Sequence, residues 1–202
     1  MAQPRYRRRK QDRPQEITAA AFTAFAEKGY AATRVEEVAQ RAGVSKGLLY
    51  LYFKTKEELF KAVVRSVVIP RVDALENELN ASQLSAEEFI RGPVLEFMKR
   101  LPGSPVSVVI RLMIAEAPRH PDLVEFYWEN VASRGMGALR QLLDRGVENG
   151  EFRRTAVNDL PQLLLAPVMM SIVWGLVFSQ RPLDTDTLIE TNIEMILAYI
   201  RA

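Results

Sequence analysis

Thr33 to Phe53 reads TRVEEVAQRAGVSKGLLYLYF. Thr33 followed by Glu36 has the spacing of a capping box, which predicts a helix starting at Arg34. Val35, Val38, Ala39 and Ala42 then share one face at helical spacing. Gly43 stands where a left-handed stop is needed, a backbone region that glycine enters cheaply. Ser45 has the chemistry of a second N-cap, and Lys46 to Phe53 is long enough for a second short helix. Two short helices across a tight glycine turn make a helix-turn-helix, whose second helix enters the major groove of double-stranded DNA.

The flanks extend the unit. Pro14 to Lys28 is predicted as helix one, with Ile17, Ala21, Ala24 and Phe25 lining a core face and Gly29 as its stop. Thr55 with Glu58 is a further capping box and opens helix four. Lys54 and Lys56 beside that helix start form a ready phosphate site, and Thr33 and Arg34 offer the same at the start of helix two. In helix three, Leu49 and Phe53 are spaced to dock inward, which leaves Ser45, Lys46, Gly47 and Tyr50 on or near the exposed face. Gly47 lets the backbone approach a duplex closely. Tyr50 and Tyr52 can each donate to a phosphate or pack on a thymine methyl, or serve the core instead.

Charge and composition agree with this division. The net charge of +2 over 202 residues is uneven: residues 1–60 carry 12 Lys/Arg against 7 Asp/Glu, and the rest carries 15 against 18. A basic front and a mildly acidic rear suit a DNA-binding unit joined to something else. Met1 to Arg13 reads as a basic arm, disordered when free and suited to phosphate or the minor groove, or simply solubilising. There is no cysteine and one histidine, His120, so neither disulfide nor thiolate chemistry is available and no conventional zinc site is expected. His120 is expected as an ordinary residue at a helix boundary. No cofactor is expected, and no nucleophile motif, metal set or phosphate loop marks an enzyme. Leu160 to Gln180 is uncharged and long enough to span a bilayer. Its prolines and the lack of a second span point instead to a buried helix of a cytoplasmic protein.

The remaining chain is predicted all-α, about nine helices in total, since no strand pattern occurs. Helix four runs toward Asn80 and is broken or kinked at Pro70. Ser85 with Glu88 caps helix five, which Gly92-Pro93 disturbs. Later helices follow over Val106–Glu116, Asp122–Asn149, Pro161–Ser179 and Thr185–Ile200. The last two are apolar over more than one face, and a homodimer that packs them against their mates would bury the excess. Phe97, Met113, Phe126, Trp128, Met169 and Trp174 belong to a stock of large, adaptable side chains that fits either a packed core or a cavity for an apolar or aromatic ligand.

Thr33-Arg34-Val35, Ala39 to Gly47 and Leu49 to Leu59 together resemble the signature of the tetracycline-repressor (TetR) family, over about Ile17 to Leu59. The resemblance implies a dimeric, all-helical transcription regulator, usually a repressor, that releases DNA on binding a small-molecule effector. It further implies that Tyr50 and Tyr52 occupy DNA-contacting positions, that some of the apolar residues above line an inducer pocket, and that Arg111 is a candidate polar anchor there. The organisation expected is a basic arm over 1–13, a DNA-binding domain over 14–60 and a ligand-binding and dimerisation domain over 61–202. A DNA-binding dimer governed by a protein partner is the alternative.

Overall fold

The computed structural model describes the backbone from residue 5 and side chains from residue 12 onward. The described residues are helical throughout, with no strand and one isolated bridge between Phe152 and Arg201. The DNA-binding unit comprises α1 (Arg5–Lys28), α2 (Val35–Arg41) and α3 (Lys46–Tyr52), followed by α4 (Lys56–Val67) and α5 (Ile69–Ala81). Then come α6 (Ala86–Phe89) and α7 (Leu95–Arg100), joined by a π-turn over Ile90–Val94, and α8 (Pro105–Glu116). A second π-turn, Trp128–Ala132, joins α9 (Pro121–Tyr127) to α10 (Ser133–Glu148). The chain ends with α11 (Ala156–Asp159), α12 (Gln162–Val177) and α13 (Thr185–Ile200). Counted as continuous runs these match the expected helices, with one addition: α11 is a single turn capped by Thr155, too short to show a periodicity.

The break at Pro70 is narrow. α4 ends at Val67, α5 starts at Ile69, and Val68 between them keeps right-handed helical angles (φ −102°, ψ −52°). Proline 70 therefore sits in a first turn, where its missing N–H costs little, and the chain kinks without making a loop. Pro14 behaves differently from expectation: α1 runs back to Arg5, so Pro14 lies inside it and not in its first turn. The side chains of the predicted basic arm up to residue 11 lie outside the described residues, as does the whole of residues 1–4.

One connected core runs the length of the molecule. Phe25, Tyr30 and Phe60 cluster with ring centroids 5.4–5.8 Å apart and tie α1 to α4. Leu49 of α3 and Val38 of α2 pack on this cluster's side of the core, and Met98, Val109, Leu142, Leu164 and Leu197 continue it through the larger unit. None of the helices is long and apolar enough to cross a membrane among the described residues.

Candidate nucleic-acid interface and inner cavity

The turn between α2 and α3 is built by Gly43 at φ +64°, a left-handed position, and by Ser45, whose Oγ accepts the Leu48 N–H at 3.1 Å. This cap leaves the first turn of α3 facing outward. Ser45, Lys46 and Gly47 are exposed and Tyr50 is half-buried. A Cβ at Gly47 would meet nothing within 4 Å, so the space above it is open. Lys46 forms an ion pair with Glu36 of α2 and lies 5.8 Å from the Tyr50 ring. That pairing raises the lysine's pKa and lowers the glutamate's, so both stay charged at neutral pH.

Not every expected DNA contact shares this surface. Thr33 is buried: its Oγ1 donates to the carbonyls of Gly29 at 2.7 Å and Ala24 at 3.1 Å, which consumes the hydroxyl inside the protein. The N-cap of α2 is Arg34, one residue later than the capping box predicts, and Glu37 Oε2 accepts the Arg34 N–H at 3.3 Å. Arg34 itself is exposed. Lys54 is exposed beside the start of α4, where Thr55 Oγ1 accepts the Glu58 N–H at 3.0 Å and Glu58 reaches back to the Lys54 N–H at 2.6 Å. Lys56 is folded onto the body: its Nζ donates to Ala31 O at 3.0 Å and sits 4.5 Å from the Tyr30 ring, and burial pulls its pKa down. Tyr52 packs against the core. Leu51 is the unexpected surface residue, 64% exposed on α3, although Leu in a short amphipathic helix reads as core.

Behind this surface lies a cavity of about 290 Å³ with almost wholly apolar walls. It is bounded by the α4–α5 kink, α7, α8, α9, α10 and α12, and both π-turns contribute to it, through Val94 and through Val131 and Ala132. A π-turn widens a helix locally and recurs at functional sites. Of the residues expected around a ligand, Phe97, Met113 and Met169 line this cavity. The other four stand elsewhere. Arg111 is exposed on the outer side of α8. Phe126 faces α4, where Lys61 and Arg65 lie 5.6 and 4.8 Å from its ring. Trp128 is 49% exposed. Trp174 donates its indole N–H to Arg181 O at 2.9 Å and stacks on Phe178 at 4.7 Å. The wall also holds the Tyr127 phenol and two polar groups that periodicity does not single out, Arg71 and Gln162. Burial pushes the Tyr127 phenol up to about 12, so it is a neutral donor at any ordinary pH.

The end of α8 and the segment after it reach the DNA-binding unit. Glu116, at the end of α8, is buried and accepts the Ala31 N–H on Oε1 at 3.2 Å. His120 packs edge-on against Tyr30 with ring centroids 5.0 Å apart.

On the outer side, α12 presents Leu163, Met170, Val173 and Val177 at helical spacing, 40–63% exposed, and α13 presents Met195 and Tyr199 at 67% and 53%.

The family model "Bacterial regulatory proteins, tetR family" matches residues 17–63, and "Tetracyclin repressor-like, C-terminal domain" matches residues 93–192. The transcriptional repressor KstR2 of Mycolicibacterium smegmatis is 30% identical over 149 residues, 73% of this chain and 71% of that protein. The fatty acid metabolism regulator protein of Bacillus subtilis is 24% identical over 195 residues, 95% of this chain and 98% of that protein. Among solved structures, the regulator FadR from Bacillus subtilis in complex with stearoyl-CoA superposes with a TM-score of 0.75 at 22% identity, covering 91% of this chain and 97% of that one. A SmeT–triclosan complex superposes with a TM-score of 0.78 at 23% identity, covering 94% and 92%.

Proposed function

From the chain's membership of the TetR family of bacterial transcriptional regulators, we propose that it is a homodimeric repressor that binds a two-fold symmetric operator and releases it when a small apolar or aromatic effector enters the cavity. The observation that carries this reading is the outward-facing first turn of α3 on a unit that shares one core with an apolar cavity. Lys46, Gly47 and Tyr50 supply the groove-facing surface, with Leu51 as an apolar addition suited to a thymine methyl. Arg34, Ser45 and Lys54 are placed to hold phosphates around them, and the basic arm extends that grip. Thr33 and Lys56 support these groups from inside.

The apolar stripe on α12, with Met195 and Tyr199 of α13, is the face that a second copy covers. Phe97, Met113 and Met169 belong to the effector site; Arg111, Phe126, Trp128 and Trp174 do not. Control by a protein partner in place of a ligand has less support, because a partner would have no use for an internal cavity. An effector repels DNA by preferring the conformation that binds DNA poorly, and operator must then weaken effector by the same factor, typically ~5 to 150-fold.

The experiment is selection of duplexes from a random pool by the full-length protein, followed by sedimentation of the free protein. Enrichment of an inverted repeat by a dimer supports the reading. A monomer, or a pool without symmetry, overturns it.

A further inference from the structure

Arg71 occupies an unusual position. It lines the apolar cavity, and it also lines an open groove of about 620 Å³ that shares Leu75, Phe97 and Leu101 with the cavity. Four charged groups border that groove, namely Arg71, Glu78, Glu96 and Arg100. Glu96 and Arg100 pair with each other at 3.4 Å along α7. Among the described residues, only Arg71 of the four also reaches the cavity wall, and no carboxylate lies within ion-pair distance of it. The junction between apolar cavity and charged groove is thus marked by one guanidinium without an ion-pair partner among the described residues. Such a junction suits a molecule with an apolar body and a negative end.

The same guanidinium closes the kink. In an unbroken helix the Val67 carbonyl would accept the Arg71 N–H, four residues on. Here that N–H turns to Val68 O at 3.0 Å, and the Val67 carbonyl takes Arg71 Nη1 at 2.6 Å instead. Pro70, with no N–H of its own, prevents the regular ladder from re-forming across the break. An anion that draws Arg71 away therefore removes the donor that caps the end of α4.

Resting on the reading of the cavity as an effector site, we infer that the effector is an amphiphile with one anionic head: its apolar body fills the cavity and its head lies in the groove on Arg71. The size of the body follows from the space. An apolar cavity of ~150 Å³ accommodates benzene, so the 290 Å³ here holds a body of roughly ten carbons. Neither Arg111 nor Arg100 is placed to substitute, the first being on the outer face of α8 and the second lining the groove alone.

The test uses three ten-carbon probes that differ only at the head: decanoate, decan-1-ol and decylamine. Each is titrated by calorimetry into the full-length protein, its R71A and R71K variants, and R100A. Wild type is expected to bind decanoate about tenfold or more tighter than the alcohol, the range of a partly exposed charge-assisted hydrogen bond. R71A should bind acid and alcohol equally, and its binding of the alcohol reports that its cavity is still open to the apolar body. R71K should restore part of the preference, and R100A should leave it unchanged. A preference for acid that survives R71A, or a tighter fit of decylamine, overturns the anchor. Equal binding of acid and alcohol by wild type overturns it too but leaves the cavity standing. If none of the three probes binds wild type, the effector-site reading itself falls.

Discussion

Replacing Val173 by Glu should separate the proposed dimer. Val173 sits mid-way along the apolar stripe of α12, 40% exposed in the single chain, between Met170 and Val177. Full burial of a valine side chain is worth roughly 1.5–3 kcal/mol, so covering the exposed 40% contributes about 1 kcal/mol. A glutamate loses that and must also desolvate a carboxylate with no partner, which costs at least about 2 kcal/mol more. A two-fold axis places the substitution twice in one interface. The sum is then about 6 kcal/mol, a weakening of dimerisation by about 10⁴-fold.

Sedimentation velocity between about 1 and about 50 µM reads the effect directly, with circular dichroism to confirm that helicity is kept. Val124 of α9 is the matched control, since it is 38% exposed but lies off the stripe, and V124E should remain dimeric. A V173E protein that sediments as a dimer throughout, or a V124E protein that dissociates equally, would refute the assignment of the face. A dissociated V173E protein should also lose most operator affinity, because a single module makes few base contacts.

Lys46→Ala should lower operator affinity about tenfold and reduce the salt slope by about one, because its charge and donor are lost from the groove-facing turn; binding curves at several salt concentrations on operator and random duplex measure this. Gly146→Ala should lower the melting temperature by roughly 3–10 °C, since a Cβ there would overlap the Phe152 ring and press on Ala86, an overpacking cost of about 1–3 kcal/mol. Glu87 is held down to about 2 by Arg201 and Arg91, below its value in the unfolded chain. The stabilisation is therefore complete above about pH 4.5 and is lost as the pH falls toward about 2, so E87Q should lose less thermal stability than wild type between about pH 6 and pH 3, with melting curves at stepped pH as the check.

Local chemistry made the first four helices legible. Gly43, Ser45 and Thr55 each act through neighbours within four residues, and all three behave as their types demand. The register of α2 was ambiguous for an equally local reason: Thr33–Glu36 and Arg34–Glu37 both have capping-box spacing. What decided it was not local. Thr33 Oγ1 donates to the carbonyl of Ala24 in α1 and to that of Gly29 just past its end, and that pulls the residue out of the cap. The cavity shows the same limit more sharply. Periodicity says that Phe126, Trp128 and Trp174 are large and regularly placed, but not which helix each one faces. Neither Leu51 nor Arg71 stands out in the sequence, because the exposure of one and the position of the other between cavity and groove depend on where distant helices lie.

The geometry that joins the two units narrows how an effector can act. α8 carries Val106, Ile110 and Met113 on the cavity wall and Glu116 one turn further on. Glu116 is buried, with Oε1 on the Ala31 N–H and Oε2 without a hydrogen-bond partner, 3.7 Å from His120 Nε2. A buried carboxylate with one oxygen unsatisfied is costly, and its one hydrogen bond ties the end of α8 to the segment before α2. Ala31 also offers its carbonyl to Lys56 at the start of α4, so the segment before α2 is gripped from both α8 and α4. α4 in turn ends at the kink capped by Arg71. On the proposed reading, a body in the cavity would push α8, and a head in the groove would uncap α4. Both displacements converge on Tyr30 and Ala31, which hold α2 and hence the turn that aims α3. On the proposed reading, release of DNA by rigid-body rotation of this unit would need no unfolding, since the packed Phe25–Tyr30–Phe60 cluster ties α1 to α4 and the α4–α5 kink could absorb the change.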